Sequence, residues 1–239
     1  MYRLINPKKY LRHYPMPSPA PSISPVTRSK QAARASYNRL SRGYDLLAGA
    51  SEKRYRNAGL AMLAAQPGET ILEIGFGTGQ ALLRLAAAIG PGGQVYGIDI
   101  SDGMLALAQA RLQRAGLTGR ASLHCGDAAN LPYEDHFFDA IFISFTLELF
   151  DTPEIPALLA ECRRVLRPGG RLAVVSLAKP AQPTLAVSIY EWFHHNAPAL
   201  VDCRPIYTRR SLEQAGFHIM QAARMSMWRL PVDIILAQT

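Results

Sequence analysis

The sequence predicts an α/β protein: a seven-stranded, mostly parallel sheet with helices on both faces and an antiparallel last strand. Two observations predict this class. From about residue 57 to residue 177, short β-branched and aliphatic runs alternate with Ala- and Leu-rich runs, as strands alternate with helices in βα units. Near the C-terminus, two apolar runs follow one another without a helix between them, which predicts an antiparallel pair. With 239 residues, 49% of them hydrophobic, the chain is long enough for one domain with a substantial core.

The individual elements follow from the same periodicities, and Pro-Gly or Gly breaks separate most of them. The predicted helices cover residues 29–42, 57–65, 81–89, 102–115, 153–166 and 211–215. The predicted strands cover residues 71–74, 94–100, 121–125, 138–145, 171–177, 217–223 and 227–236. Residues 178–207 interrupt the alternation with aromatic residues and a histidine pair, so we expect this insertion to cover an acceptor pocket at the sheet edge.

The positive charge of the chain is concentrated at its N-terminus. The net charge is +8, but residues 1–44 contain nine basic and no acidic residues, so the remainder is nearly neutral. Residues 15–25 alternate proline with small residues, which is typical of an extended linker. We therefore divide the chain into a basic, Pro-rich extension over residues 1–27 and a main domain over residues 28–239.

Composition also limits where the protein works. No run approaches the roughly 20 apolar residues that span a bilayer, and the N-terminus lacks the apolar stretch of a secretory signal. The three cysteines are scattered, which suits a reducing compartment and argues against a disulfide framework. These features predict a cytoplasmic protein, and the basic extension predicts association with a membrane surface.

Residues 29–42 predict an amphipathic helix with an apolar stripe through Ala33, Tyr37 and Leu40. Its arginines lie mostly off this stripe. Two interpretations stay open: the helix packs on the sheet edge with a solvated basic face, or it lies on an anionic membrane.

Residues 70–80, T-I-L-E-I-G-F-G-T-G-Q, are the stretch around which the chain is organised. A strand, a glycine turn and a helix allow the backbone to approach a nucleotide at the carboxyl edge of a parallel sheet. A dinucleotide fingerprint would place a small residue at position 80, which is Gln80 here. A carboxylate inside the motif, Glu73, would repel a pyrophosphate but attract a sulfonium or an α-ammonium group. The glycines of the turn are Gly75, Gly77 and Gly79.

The predicted second strand ends in Asp99, 24 residues after Gly75. An acid at this position can accept hydrogen bonds from both ribose hydroxyls. The alternative is an acid that stabilises the N-terminus of the following helix. Ser101 already supplies a cap for that helix, which favours the ribose role.

Together these residues resemble the class I S-adenosylmethionine-dependent methyltransferases, over about residues 37–177 and more loosely to residue 217. Further matches are VYGIDIS, GDAANLPYEDHFFDAIF and RVLRPGGRL. Within the class the chain is most similar to the ubiquinone/menaquinone-biosynthesis C-methyltransferases and their phospholipid N-methyltransferase relatives. The resemblance implies a Rossmann-like sheet, S-adenosyl-L-methionine as the cofactor and S-adenosyl-L-homocysteine as its product.

The resemblance also implies a set of cofactor contacts. Asp127 would accept a hydrogen bond from the adenine amino group, or simply form a turn. Met104 would pack on adenine or in the core. Two tyrosines would place π faces over the sulfonium, or be ordinary core aromatics. The full predicted set is Tyr37, Tyr44, Glu73, Gly75, Gly77, Gly79, Asp99, Ile100, Met104, Asp127, Ala128 and Ser144.

The end of the predicted fourth strand, residues 144–149, should face the transferred methyl group. It lacks the Asp/Asn/Ser-Pro-Pro-aromatic motif of nucleic-acid amino-methyltransferases, and the chain has no Pro-Cys pair, so we expect no nucleic-acid substrate. Quinone C-methyltransferases typically carry an Arg-Asn pair near this point, where this chain has Leu147-Glu148.

A ring-carbon acceptor must lose a proton, and the candidate catalytic bases are Glu148, His194 and His195. Adjacent histidines on a helix point about 100° apart, so at most one should face the pocket. No third ligand at suitable spacing supports zinc, so we expect no metal.

Three functions remain open from the sequence. The chain is a methyltransferase for a lipophilic acceptor at a membrane, either a quinone-ring carbon or a phospholipid amine; a methyltransferase for a soluble amine, phenol or carboxylate; or a non-catalytic cofactor-binding protein. Gln80 disfavours a nicotinamide dehydrogenase. The expected partner is a small-molecule acceptor, with peripheral membrane contact through the basic N-terminal segment.

Overall fold

The structure is a computed structural model that describes residues 23, 31, 34, 35, 38, 50–180, 182, 184–196 and 203–239. The predicted sites Tyr37 and Tyr44 lie outside the described residues, as does most of the extension over residues 1–27. Gln31, Arg34, Ala35 and Asn38 are helical, inside the stretch where the sequence predicts a helix.

Seven strands form one sheet in the described part of the chain, in the order β3-β2-β1-β4-β5-β7-β6. The first five strands are parallel, β7 is antiparallel to β5, and β6 is antiparallel to β7. This arrangement confirms the predicted fold class. The strands are β1 (Thr70–Ile74), β2 (Gln94–Asp99), β3 (Ala121–Cys125), β4 (Phe138–Ser144), β5 (Leu166–Leu177), β6 (His218–Met227) and β7 (Leu230–Gln238).

Helices cover both faces of the sheet, because parallel strands are connected by crossovers that pack on the sheet. The longer helices in the described residues are α1 (Ala50–Leu63), α2 (Gln80–Ala88), α3 (Asp102–Arg114), α4 (Ile155–Val165), α5 (Leu185–Asn196) and α6 (Thr208–Gln214). Buried residues of α1, α2 and α3 form one apolar cluster with the sheet, and those of α4 and α6 form the other.

The order of the strands positions a crevice at one edge of the sheet. β1 lies between β2 and β4, so the chain moves outward from β1 to one side and then returns to the other side. The carboxyl ends of β1, β2 and β4 therefore face the same edge, and the helices that follow diverge from it. Ligands bind in such crevices in open α/β sheets.

Some element bounds differ from the sequence prediction, and in β5 the reason is strand pairing. β5 begins at Leu166, five residues early, because Phe138 pairs with Leu166 before the register shifts. α1 begins at Ala50 and not at residue 57. β6 continues to Met227, and Trp228 and Arg229 alone connect it to β7. Both turn residues have positive φ, 49° and 68°, as a two-residue type I′ hairpin requires.

Two absences are limited to the described residues. None of their helices is long and apolar enough to cross a membrane, and no cluster of three potential metal ligands occurs among them. Cys125, Cys162 and Cys203 form no disulfide with one another.

Helix α1 packs unusually close to the sheet at Gly59. A Cβ atom built on Gly59 would lie 2.4 Å from Cγ2 of Val175 and 3.0 Å from Cε2 of Phe142. Both neighbours are completely buried and belong to the same apolar cluster. Glycine is thus required here by packing, although helix propensity alone would favour alanine.

We therefore expect Gly59→Ala to destabilise the protein by about 1 kcal/mol, because the overpacking cost of about 1–3 kcal/mol exceeds the gain in helix propensity of about 1 kcal/mol. Urea unfolding would measure the change in the free energy of unfolding. Val175→Ala removes the clashing methyl groups, so the double variant should be more stable than the sum of the single effects predicts. Strict additivity would contradict the close approach.

Candidate functional site

The glycine turn after β1 has the geometry that the sequence predicts. Gly75, Gly77 and Gly79 all have positive φ, at 70°, 51° and 79°, which L-residues with side chains rarely adopt. A Cβ atom on Gly75 would lie 2.2 Å from Oγ1 of Thr146, so the turn packs directly against the end of β4. A Cβ atom on Gly77 would meet nothing within 4 Å, so open space lies beside this part of the turn.

The Asp99 carboxylate connects the glycine turn to the start of α3. The Gly77 N–H donates to Oδ2 of Asp99 at 2.8 Å, and the Ser101 N–H donates to Oδ1 at 2.9 Å. Ser101 caps α3, because its hydroxyl accepts from the Met104 N–H at 3.1 Å. Burial raises the pKa of Asp99, and the amides of Ser101 and Gly77 lower it in part. Asp99 therefore lies at the carboxyl end of β2, as predicted, and already organises two backbone segments.

Glu73 is a buried acid in the centre of the sheet. The Glu73 residue is 3% exposed, and its Oε2 atom has no hydrogen-bond partner among the described residues. Burial raises the pKa of Glu73 well above its ordinary value, and nearby Asp99 raises it further, whereas Arg56 and the Leu82 amide oppose these effects. An unsatisfied carboxylate in such a position is costly unless a cation or a donor satisfies it. A cation beside the turn would reduce this cost, because it would favour the ionised form of Glu73.

The remaining predicted cofactor residues lie along the same edge with different exposure. Met104 is buried in the apolar cluster, Ile100 is half-buried and Ala128 is buried. Asp127 is exposed, and its Oδ1 accepts from the Ala129 N–H at 3.0 Å, as in a turn. Ser144 is half-buried at the end of β4. Their contacts with a cofactor stay predictions, as do those of Tyr37 and Tyr44 outside the described residues.

The helical residues near the N-terminus contact the start of α3, which sequence reasoning missed. The Ser101 hydroxyl donates to Oδ1 of Asn38 at 2.6 Å, and the Gly103 N–H donates to the same atom at 3.0 Å. The Arg34 guanidinium pairs with Asp102 and lowers the pKa of that carboxyl. The only sequence signal for these contacts is the polar face of the predicted helix, which does not specify a partner.

Thr146 was also missed by the sequence analysis. Its hydroxyl donates to the carbonyl of Ser144 at 3.1 Å and approaches the carbonyl of Gly75 at 3.4 Å. It thereby connects the end of β4 to the glycine turn. No periodicity marks this position, because the contact joins two segments that are far apart in the chain.

The backbone bends sharply where β4 ends. Phe145 has φ of 52°, in the left-handed region, and its N–H donates to the carbonyl of Val175 at 2.8 Å. Its buried ring packs edge-on against Tyr55, with centroids 6.2 Å apart. Non-glycine residues in this conformation are strained and concentrate at functional sites. Phe145 is therefore a candidate wall of the pocket that faces the transferred group.

The predicted catalytic bases lie in different settings. Glu148 is fully buried, and its Oε1 accepts from the Leu177 N–H at 3.0 Å. His194 is buried on the inner face of α5. His195 belongs to α5, but its side chain lies outside the described residues. A base role for any of the three stays a prediction.

The arrangement as a whole fits a nucleoside with a cationic sulfur. The open space beside Gly77 accommodates a ligand against the backbone, and Asp99 has lone pairs for ribose hydroxyls. Glu73 supplies a buried carboxyl group that a nearby cation would favour in its ionised form. A pyrophosphate would place like charges against Glu73 and Asp99, which is unfavourable.

Comparison with known proteins agrees with this chemistry. Residues 71–170 match a family model described as a methyltransferase domain. A demethylmenaquinone methyltransferase from Symbiobacterium thermophilum is 30% identical over 83% of this chain and 85% of its own length. The ubiquinone/menaquinone biosynthesis C-methyltransferase UbiE of Ectopseudomonas mendocina is 34% identical over 62% of this chain and 57% of that protein.

Among solved structures, the cyclase SpnF superimposes with a TM-score of 0.71 at 21% identity, over 91% of this chain and 99% of that one. At this level of identity the likeness shows the fold alone. The relative from Symbiobacterium, which aligns over most of both chains, shows the family. The chain therefore belongs to the class I S-adenosylmethionine-dependent methyltransferases and is close to the quinone C-methyltransferases of the UbiE group.

Proposed function

We propose that this S-adenosylmethionine-dependent methyltransferase methylates a ring carbon of a lipophilic quinone in its reduced form. The supporting observation is the likeness to a demethylmenaquinone methyltransferase across 85% of that relative. The Leu147-Glu148 pair departs from the Arg-Asn pair typical of quinone enzymes. This departure keeps the phospholipid amine as the second candidate acceptor.

The cofactor is assigned to the crevice at the carboxyl ends of β1 and β2. In this proposal Asp99 accepts hydrogen bonds from the ribose hydroxyls and Glu73 attracts the cationic end of the cofactor. The turn at Gly77 forms the backbone wall beside it. When bound, S-adenosylmethionine supplies an electrophilic methyl group. The remaining requirement on the chain is alignment, which supplies several kcal/mol of barrier reduction in bimolecular displacements.

The acceptor is assigned to the space between the end of β4 and α5. A reduced quinone ring becomes nucleophilic at carbon when its hydroxyl proton is held or removed, and the ring carbon loses its own proton after the C–C bond forms. Glu148, His194 and His195 are the candidate groups for these transfers. The basic residues of the N-terminal segment would hold the enzyme near anionic lipid, where such acceptors reside.

The test of this function is an acceptor panel with radiolabelled S-adenosylmethionine. The purified chain would be offered a demethylated menaquinol, phosphatidylethanolamine vesicles and a soluble catechol in parallel. The proposal expects label in the quinol, with a new carbon-bound methyl group. Label confined to the phospholipid or to the catechol would overturn it, and a reaction without the protein would serve as the blank.

Asp99→Ala should weaken binding of both S-adenosylmethionine and S-adenosylhomocysteine by about tenfold to about a hundredfold, because two charge-assisted hydrogen bonds to ribose are lost. Calorimetric titration would measure the affinities. Because Asp99 also bonds to Gly77 and Ser101, the thermal midpoint of each variant must be compared. Glu134→Gln, which changes an exposed acid between β3 and β4, is the matched control and should bind as the parent does.

Affinity for S-adenosylmethionine should rise with pH through the raised pKa of Glu73. A cationic ligand binds the ionised carboxylate, so the protonated form must first lose its proton; above that pKa the affinity should level off. Because one group titrates, the affinity should rise by no more than about tenfold per pH unit. Calorimetry between pH 5 and 9 would measure it. An unchanged slope in Glu73→Gln would assign the titration to another group.

A further inference from the structure

Helix α5 is apolar on two sides. Its inner side carries Val187, Tyr190 and His194, which are buried or half-buried against the sheet. At 100° per residue these three positions fall within an arc of about 60°. Residues on the other side of the helix should be polar if water alone faced them. They are apolar instead.

The outer side of α5 exposes four large apolar residues in one stripe. Within an arc of about 100°, centred about 140° from the centre of the buried side, lie Leu185, Ile189, Trp192 and Phe193. Their exposures are 78%, 48%, 60% and 47%, respectively. Trp192 and Phe193 contact each other edge-on, with ring centroids 5.1 Å apart. Scattered exposed hydrophobic residues need no explanation, but a contiguous stripe indicates a binding surface.

The inner side fixes α5 to the domain. The Lys179 ammonium pairs with Glu191 at 2.7 Å, and the Tyr190 hydroxyl donates to the carbonyl of Cys203 at 3.0 Å. Glu191 is the one acid of α5, and its carboxylate is paired with Lys179. The helix therefore does not present an isolated negative charge. The helix is therefore held with its apolar stripe outward.

The β6–β7 hairpin presents a second apolar group at the same edge. Met227 and Leu230, which flank the turn, belong to the same apolar cluster as Val187 of α5. Val232, two residues into β7, pairs with Leu177 at the end of β5, from which the chain leads to α5. At the tip, Trp228 is 70% exposed and has a strained positive φ. Both tryptophans of the chain are therefore exposed at this edge.

Basic residues accompany these apolar groups. Arg229 is exposed beside Trp228, and the Arg54 guanidinium donates to the carbonyl of Ser226 at 2.5 Å, two residues before Trp228. Lys53 is exposed on the same turn of α1. An apolar helix face together with an exposed tryptophan beside cations is the composition of an interfacial, membrane-binding surface.

We propose that the outer stripe of α5 and the Trp228–Arg229 hairpin form a docking surface for an anionic lipid bilayer. Leu185, Ile189, Trp192 and Phe193 would enter the interface between headgroups and acyl chains, Trp228 would enter beside them, and the cations would contact lipid phosphates. None of these residues belongs to the basic N-terminal segment. This docking surface goes beyond the proposed function, since binding to vesicles requires no methyl acceptor.

The two tryptophans report directly on this docking. Full-length protein would be mixed with vesicles of phosphatidylcholine containing phosphatidylglycerol, and intrinsic fluorescence would be recorded in Trp192→Phe and Trp228→Phe. Each variant retains one tryptophan, so each position is observed alone. Docking predicts a blue shift on addition of vesicles and quenching by lipids brominated near the headgroup, at both positions. An unchanged spectrum at Trp192 would overturn the proposal.

Vesicle flotation tests which residues supply the affinity. The pair Trp192→Gln/Phe193→Gln should lower partitioning into the anionic vesicles by about tenfold or more, since two exposed apolar side chains are lost. Met220→Gln is the matched control, because Met220 is 57% exposed on β6 at the opposite edge of the sheet. It should float as the parent does. Equal losses in both would contradict a local docking surface.

Two further outcomes would overturn the proposal in favour of other occupants. A blue shift that depends on protein concentration without lipid, with a dimer in sedimentation velocity, would assign the stripe to a second copy of the chain. Loss of flotation in Lys8→Gln/Lys9→Gln/Arg12→Gln, with none in the Trp192→Gln/Phe193→Gln pair, would assign binding to the N-terminal segment alone. If vesicles bind as expected but no quinol is methylated, only the proposed acceptor fails.

Discussion

One carboxylate connects most of the candidate site. Asp99 accepts hydrogen bonds from the Gly77 and Ser101 amides, and so it joins the glycine turn after β1 to the cap of α3. Through the Ser101 hydroxyl the same connection extends to Asn38 in the helical segment near the N-terminus. Burial of this carboxylate disfavours its charged form and so raises the pKa of Asp99. A group that organises two backbone segments, and a third through Ser101, is prepared for a ligand before the ligand arrives, which reduces the ordering cost on binding.

Glu73, the neighbouring acid, is placed for ligand binding at a cost to the stability of the fold. Glu73 occupies the centre of the sheet, where an apolar residue would pack without a desolvation cost, and one of its oxygens has no partner in the described structure. Proteins tolerate such conflicts at functional sites because the rest of the fold compensates. Two apolar clusters on the two faces of the sheet supply that compensation here. The cation of S-adenosylmethionine would then favour ionisation of a carboxyl group whose charged form burial disfavours.

The sequence predicts the parts of the site that are local in the chain. Strand, glycine turn and helix follow one another within residues 70–88, so β1, the turn and α2 are visible in spacing alone. The Ser101 cap and the position of Asp99 at the end of β2 are predictable for the same reason. The pairing of Phe138 with Leu166, which lengthens β5, is not, because register depends on partners distant in sequence. The contacts of Asn38 and Thr146 are hidden for the same reason. Helical periodicity separates the two histidines of α5, but burial of His194 depends on what the helix packs against.

The left-handed backbone at Phe145 has a consequence for how this scaffold can change its substrate. Because φ is positive there, a glycine would relieve the backbone strain at the end of β4, and the loss of a buried ring would leave a cavity in its place. The aromatic ring that it removes borders Tyr55 and occupies space at the edge where the acceptor is expected. Side-chain volume and main-chain geometry are thus separable at this one position. A chemist who wishes to admit bulkier molecules can begin at residue 145 without redesigning the sheet.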